Sequence, residues 1–247
     1  MPARSEPRRY RSAVRAEGAR ATRRRIREAA TRLFLARGYA TTTIDAISAG
    51  AGVARRTVVL AYPTKADLLD DIVNAALAGE DTSVPLTKRD WFVEVLGYSQ
   101  PLAALQVLAH RTAEIHARSA RIHDLALAAA AGDHALARLA KRGASSRRNM
   151  WRIQALAMHA KGWLRRGIDA DKATDVLWTL SSPHNYRLLV VDRGWTELAY
   201  KDWLVGAAAT ILRDPQPAEV SIKGVRAVTA PARRRPSTGH AQPAPAS

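Results

Sequence analysis

An all-α fold is the prediction for this chain of 247 residues, and three observations support it. Apolar residues recur at helical spacing through almost the whole interior, alanine and leucine are abundant, and glycine and proline fall mostly where that spacing breaks. No run of alternating β-branched residues suggests a strand. We therefore expect a group of short N-terminal helices followed by a larger helical bundle.

The N-terminal group begins with a helix predicted from about Ala21 to Arg37, which ends at Gly38. Its apolar face comprises Ile26, Ala29, Ala30, Leu33 and Phe34. Thr42, three residues before Asp45, has the spacing of a capping box and predicts the start of a short second helix. Gly50 and Gly52 should close that helix.

A third, short helix is predicted from about Val53 to Tyr62, because Pro63 cannot continue it. Thr64 and Asp67 repeat the capping pattern and predict a fourth helix. A helix, a short helix, a turn containing glycine and another short helix, all within about 45 residues, are the layout of a helix-turn-helix domain.

The residues of this region also resemble the N-terminal DNA-binding domain of the TetR family of transcriptional regulators. The matching positions are Phe34, Gly38, Tyr39, Thr42, Thr43, Ile44, Ile47, Ala51, Gly52, Val53, Thr57, Tyr62, Thr64, Lys65, Ala66, Asp67, Leu68 and Leu69. Segments 175–190 and 193–204 are similar to the C-terminal helices of one branch of the family, so the resemblance covers residues 22–213.

The resemblance implies that the third helix enters the major groove of DNA. Arg55 and Arg56 lie on its first turn, and arginine can donate two parallel hydrogen bonds to guanine. One of them is expected to contact a base, although contacts of both with phosphates alone remain open. Thr43, Thr57 and Lys65 match family positions that contact the DNA backbone.

Three departures from the family pattern remove polar groups from the third helix. Val59 and Ala61 occupy positions where the family commonly has Tyr, and His or Tyr, that contact the backbone, and Ala54 replaces a serine N-cap. The arginine-rich arm, and in particular Arg23, Arg24 and Arg25, is expected to offset these losses near the DNA backbone.

The formal net charge of +17 points to a polyanionic partner, and its distribution is uneven. Residues 1–37 carry twelve arginines against three glutamates, whereas residues 38–82 carry only three basic residues against six acidic ones. Few charges are thus available for sequence recognition. The bulk charge should instead set the salt dependence and the association rate of binding to the polyanionic partner.

Four segments are predicted. Residues 1–20 form a disordered basic arm, 21–82 the helix-turn-helix domain, 83–213 a helical effector-binding and dimerisation domain, and 214–247 a disordered tail rich in proline, alanine and arginine. In the third segment we expect a helix from Pro101 past His116, a separate one over residues 119–131, and one from Asp133 to about Arg166. Two more should cover residues 169–181 and 196–213.

In the family, the second domain encloses an effector and pairs with a second subunit. The aromatic and apolar candidates for the effector pocket are Trp91, Phe92, Leu108, His116, Trp151, Met158 and Trp163. Candidates for the dimer interface are Val176, Leu177, Leu180, Trp203, Leu204 and Ile211. Ordinary packing inside one chain is an alternative for both sets. The surplus of basic residues suits an anionic effector, but a solvated surface is the favoured interpretation.

Nothing in the sequence points to an enzyme, a cofactor or a metal. There is no cysteine, none of the seven histidines stands in a metal-binding pair, and GxSxG, GxGxxG and P-loop motifs are absent. No apolar stretch is long enough to span a membrane, and no signal peptide precedes the first helix. We expect a cytoplasmic protein.

The sequence and the resemblance thus predict a dimeric regulator that binds a palindromic operator in double-stranded DNA and is released by a small-molecule effector. We expect it to act as a repressor. One alternative is a largely nonspecific basic DNA-binding protein of the nucleoid type, suggested by the high charge and the apolar Val59 and Ala61. Another is a ligand-binding helical module whose DNA-binding head has degenerated.

Overall fold

The computed structural model describes residues 6–79 and 84–213, with side chains from residue 15 onward. The first five residues of the arm, the linker 80–83 and the tail 214–247 lie outside the described residues. The helices are α1 (Glu6–Arg37), α2 (Ile44–Ala51), α3 (Arg55–Ala61), α4 (Lys65–Ala78), α5 (Asp90–Gly97), α6 (Pro101–Ala130), α7 (His134–Ala160), α8 (Ala170–Leu180), α9 (Pro183–Tyr186) and α10 (Glu197–Ala209). The fold class is all-α, as predicted.

The first helix begins at Glu6, well before the predicted start at Ala21, so residues 6–20 are helical where the sequence suggested disorder. Arginine, alanine and glutamate are all good helix formers, and they dominate this segment. Arg20 and Glu17 add an ion pair one helical turn apart, with 2.6 Å between nitrogen and oxygen. Low apolar content does not prevent a helix here.

The turns of the helix-turn-helix have the predicted locations, with two corrections, the first being that Gly50 lies inside α2 and only Gly52 closes it. Gly38 follows α1 and Gly52 follows α2, both in the left-handed region that favours glycine. The N-cap of α2 is Thr43 rather than Thr42. Thr42 is buried and donates its hydroxyl to the carbonyl of Gly38 at 2.8 Å, so its side chain packs against the end of α1 and not at the first turn of α2. Thr64 and Asp67 form the capping box of α4.

Helices α1 to α4 enclose an apolar core that continues into the larger bundle. Phe34, Ile47 and Val58 have no exposed surface in this core. Ile122 of α6 and Leu136 of α7 belong to the same cluster of buried residues. The helix-turn-helix is therefore packed directly against the second domain.

The second domain differs from the prediction at two helices. Residues 101–130 form one unbroken helix instead of two segments, because alanine fills the predicted break. Helix α7 ends at Ala160 rather than near Arg166, since Gly162 adopts a left-handed conformation and Leu164 then pairs with Leu212 in an isolated antiparallel bridge. Helix α8 and the final helix lie where predicted, capped by Asp169 and Thr196.

No helix within the described ranges is long and apolar enough to cross a membrane.

Candidate DNA-binding surface

Helix α3 is fixed to the domain on its inner side and at its C-terminal end. Val58 is completely buried, and the guanidinium of Arg23 donates to the carbonyl of Ala61, the last residue of the helix, at 2.7 Å. The same guanidinium lies 4.9 Å above the ring of Tyr62. A cation at a helix C-terminus stabilises the last carbonyls. Arg23, which was predicted to contact DNA, thus stabilises the C-terminal end of α3, the helix expected to enter the major groove.

Tyr62 extends this anchor to α4, because its hydroxyl donates to the carboxylate of Asp71. Burial of Tyr62 and its bond to Asp71 raise the pKa of the phenol above its usual value, so the hydroxyl stays protonated and can donate. Arg27 approaches the same carboxylate at 3.4 Å. Helices α1, α3 and α4 are thereby joined by one polar network, for which no sequence motif gave a signal.

The outer side of α3 carries two cationic and two aliphatic side chains. Arg55 forms an ion pair with Asp45 of α2 at 2.9 Å, and both side chains are largely exposed. Arg56 is exposed and forms no ion pair within the described part of the chain. Val59 and Leu60 are also exposed, to 41% and 74%. Arg56 is therefore the arginine of this helix whose charge is available to a partner.

Helix α3 also begins without a side-chain cap, as expected from alanine at position 54. Thr43 is exposed, and its oxygen accepts the Ala46 amide at 3.1 Å, which leaves its own hydrogen free to donate. Thr57 is half-buried, whereas Arg24 and Arg25 are exposed on α1. These positions are compatible with contacts to the DNA backbone, and that role remains a prediction.

Lys65 has a structural role in this conformation. Its ammonium donates to the carbonyls of Tyr39, Ala40 and Thr42 at 2.8, 3.3 and 3.1 Å and lies 4.3 Å above the ring of Tyr39. An ammonium has three hydrogens, so all of its donors are used within the chain. The phosphate contact predicted for Lys65 would require it to give up at least one of these bonds.

We expect the Lys65→Met variant to lose thermal stability, because three carbonyls between α1 and α2 lose their donor while the apolar stem is retained. Differential scanning calorimetry measures this loss. The slope of log K for DNA against log salt should not change, since a clamp on carbonyls neutralises no phosphate. If Lys65→Met instead keeps normal stability and reduces the slope of log K against log salt by about one unit, Lys65 contacts a phosphate.

The second domain contains two adjacent cavities. The inner one, about 10 Å³, is lined by apolar residues that include Trp91, Phe92, Leu108 and Trp151 from the predicted pocket set. The outer one, about 270 Å³, lies beside the end of α4 and shares Trp91 and Ile115 with the inner one. The inner cavity has room for about one water molecule. In this conformation only the outer cavity approaches the size of a ligand site.

The other predicted pocket residues line neither cavity. Met158 is buried in the main core of the second domain. The ammonium of Lys161 lies over the ring of Trp163, 4.6 Å from its centroid. His116 is buried beside Tyr186, with 5.7 Å between the ring centroids, on a face of α6 that does not line either cavity. Periodicity alone could not separate the two apolar sides of this long helix.

Arginines connect the outer cavity to α4. Arg118 of α6 donates to the carbonyls of Ala76 and Leu77 at 2.8 and 3.0 Å, and Arg89 donates to that of Ala78 at 2.7 Å. Both arginines line the outer cavity. The C-terminus of the helix that leaves the DNA-binding domain is thus held by the walls of a cavity in the second domain.

His116 is buried, and its ring bonds to the backbone just after the end of α8. Its Nε2 lies 2.9 Å from the carbonyl of Ser181, which identifies Nε2 as the protonated nitrogen. Burial is the main cause that lowers its pKa to about 4; the bond to the Ser181 carbonyl acts in the opposite direction, and Arg147, His123 and Arg118 add to the lowering. Across the described residues no group of three or more His, Cys, Asp or Glu side chains could hold a metal ion.

The protein should lose stability as the pH falls below 6.5. The unfolded chain binds a proton at His116 near pH 6.5, whereas the folded protein resists protonation until about pH 4, so protons favour unfolding between these values. The full shift corresponds to a loss on the order of 3 kcal/mol. Urea unfolding of wild type and of His116→Gln at pH 7.5 and 5 tests this: the variant should depend less on pH, and equal pH dependence would exclude His116 as its source.

The predicted dimer-interface residues divide into two groups. Leu177, Leu204 and Ile211 are buried within one chain, which agrees with the alternative of core packing, and their place in an interface stays a prediction. Val176, Leu180 and Trp203 are half-buried. The exposed apolar residues nearby, none of which was predicted for the interface, are Leu188, Val191, Trp195 and Leu198.

Comparison with known proteins agrees with this architecture. Residues 26–72 match the model of a family described as bacterial regulatory proteins, tetR family. No curated protein sequence gives a significant match.

Solved structures share the fold at low sequence identity. NalD, the secondary repressor of the MexAB-OprM multidrug efflux pump in Pseudomonas aeruginosa, has 21% identity and a TM-score of 0.60 over 79% of this chain and 99% of NalD. A TetR transcription regulator from Haloarcula marismortui has 18% identity and a TM-score of 0.58 over 78% and 98%. The ketosteroid transcriptional regulator KstR2 of Mycobacterium tuberculosis has 18% identity and a TM-score of 0.52 over 78% and 95%.

Helix α3, which is anchored on its inner side and at its C-terminal end and exposes Arg56, is the second helix of a helix-turn-helix arrangement. The family match lies on this domain, and the larger fold is that of TetR regulators. Residues 26–72 are thus similar in sequence to TetR-family regulators, and the described part of the chain shares their fold.

Proposed function

We propose that two copies of the chain bind a palindromic operator, repress transcription from it, and release it when a small-molecule effector binds the second domain. The observation that carries this proposal is α3, whose buried Val58 and capped C-terminus hold Arg56 outward at the protein surface. A helix presented in this way fits the major groove of B-DNA, about 12 Å wide.

The proposed dimer uses the apolar surface of the last helices. Leu188, Val191, Trp195 and Leu198 are exposed close together in sequence, and Val176, Leu180 and Trp203 are half-buried. Exposed apolar residues grouped in one region are typical of an interface. A two-fold dimer would place two α3 helices in successive major grooves about 34–36 Å apart, which requires an inverted repeat in the DNA.

The proposed effector response depends on the outer cavity. An effector that binds Arg118 competes with the carbonyls of Ala76 and Leu77 and so weakens the attachment of α4 to α6. Such a ligand changes DNA affinity only if it binds more tightly to the arrangement that does not fit DNA. Residues 21–82 would then serve as the DNA-binding domain and 83–213 as the effector and dimer domain, in a cytoplasmic protein.

Selection of bound sequences from random double-stranded DNA at physiological salt tests the proposal. An inverted repeat bound some 10³–10⁷ times more tightly than random DNA is expected. A ratio near one would support the nucleoid-type alternative. If an Arg55→Ala, Arg56→Ala double variant keeps all regulatory activity in cells, the DNA-binding head is degenerate.

Deleting residues 1–20 should weaken DNA binding and flatten its salt dependence. The deletion removes six arginines and two glutamates, and each lost phosphate contact reduces the slope of log K against log salt by about 0.9. Fluorescence anisotropy at several salt concentrations measures the slope. Deletion of residues 214–247 provides the matched control for a basic terminal segment, and an unchanged slope after the first deletion would exclude the arm from DNA contact.

A further inference from the structure

Helix α3 exposes aliphatic surface that no residue of the described ranges covers. Leu60 is 74% exposed, more than any other large hydrophobic residue of the described ranges, and Val59 beside it is 41% exposed. Both belong to a helix of seven residues whose inner residue, Val58, is fully buried. Large aliphatic side chains in water are unfavourable unless a partner covers them.

The two aliphatic side chains lie on the same side of α3 as Arg56. Leu60 follows Arg56 by four residues and Val59 follows it by three, and residues at these spacings are neighbours on a helix surface. A partner that receives the guanidinium of Arg56 therefore also meets Val59 and Leu60. Under the proposed function α3 enters the major groove, so the partner that these side chains meet is the floor of that groove.

The groove offers these side chains one matching chemical group. Valine and leucine have no hydrogen-bonding side-chain atoms, so they cannot bind phosphates or the polar edges of bases. In unmodified B-DNA the apolar group in the major groove is the C5-methyl of thymine. Against cytosine, the same side chains would desolvate the amino group of the base without replacing its hydrogen bonds to water.

We propose that Leu60, assisted by Val59, recognises a 5-methylpyrimidine, which in unmodified DNA is thymine, next to the base pair contacted by Arg56. This inference rests on the proposed binding of a specific operator. It gives Val59, where the resemblance indicated only the loss of a phosphate contact, a part in sequence recognition. The operator half-site should then contain a guanine and, close to it, a thymine.

The test combines base analogues with one protein variant. Each thymine of the selected operator is replaced in turn by deoxyuridine, which removes only the methyl group. Wild type should lose roughly fourfold in affinity for each contacted methyl, and about 16-fold for the two half-sites together. Leu60→Ala should bind the thymine and uracil operators equally. Val93→Ala, at an exposed valine of α5, is the control and should behave as wild type.

Further DNA substitutions separate the methyl group from thymine itself. At the responsive position, a cytosine–guanine pair should bind weakly, and 5-methylcytosine should recover part of the loss in wild type but not in Leu60→Ala. If wild type binds the deoxyuridine operators as tightly as the thymine operator, or if Leu60→Ala loses as much affinity as wild type on deoxyuridine substitution, this inference is overturned and the proposed function is left intact. Selection that yields no operator overturns both. Circular dichroism of Leu60→Ala checks that the exposed substitution leaves the fold unchanged.

Discussion

Replacing Arg56 by alanine is expected to weaken operator binding by about 30-fold or more, with little effect on binding to random DNA. A bidentate bond between arginine and guanine contributes about 1–3 kcal/mol of discrimination, and a dimer would lose two such bonds. Arg56 is exposed and has no ion pair among the described residues, so its charge is available to the base. Fluorescence anisotropy with operator and scrambled DNA at physiological salt measures both affinities.

Arg55→Ala is the matched control on the same turn of α3. Arg55 is paired with Asp45 at 2.9 Å, and it must leave this partner before it contacts DNA. We therefore expect a smaller loss of specificity than for Arg56→Ala. Equal losses of Arg56→Ala on operator and scrambled DNA would show that Arg56 contacts a phosphate, which positions the protein without recognising sequence.

Phe34→Ala should destabilise the whole chain and not only the DNA-binding domain. Phe34 has no exposed surface, and truncating a buried phenylalanine costs about 3–5 kcal/mol. The core around it extends to Ile122 and Leu136 of the second domain, so the two domains should unfold together. For a chain of this size the midpoint of thermal unfolding should fall by roughly 6–20 °C.

Tryptophan fluorescence reports the second domain alone, because every tryptophan follows the linker. These residues are Trp91, Trp151, Trp163, Trp178, Trp195 and Trp203. In Phe34→Ala the fluorescence midpoint should fall with the circular dichroism midpoint. Phe92→Ala, at a buried phenylalanine of the second domain, is the reciprocal variant. A two-step transition with unchanged fluorescence in Phe34→Ala would show that the domains unfold independently.

The sequence predicted the helix-turn-helix well because its signals are local. Gly38 and Gly52 require left-handed backbone, and Thr64 with Asp67 forms a capping box three residues apart. Such signals depend on a few consecutive residues. The N-cap of α2 was placed one residue early because Thr42 and Thr43 are both suitable caps, and only the packing of Thr42 against the end of α1 decides between them.

The parts of the site that the sequence did not predict depend on contacts between distant residues. Arg23 reaches Ala61, Lys65 reaches the loop after α1, and Arg118 reaches the end of α4. A basic residue on an exposed helix face has the same local pattern whether it contacts a phosphate or a carbonyl of its own chain. For this reason, residues expected to contact DNA include two that stabilise the domain.

The shared core around Phe34, Ile122 and Leu136 also limits how this protein can be recombined with its relatives. A chimera that joins this DNA-binding head to another regulator at the linker after α4 would separate side chains that pack together. Its head would face a foreign α6 and lose the donation from Arg118 to α4. A working graft would have to carry the matching residues of α6 and α7, so the unit that can be transplanted is larger than the segment that binds DNA.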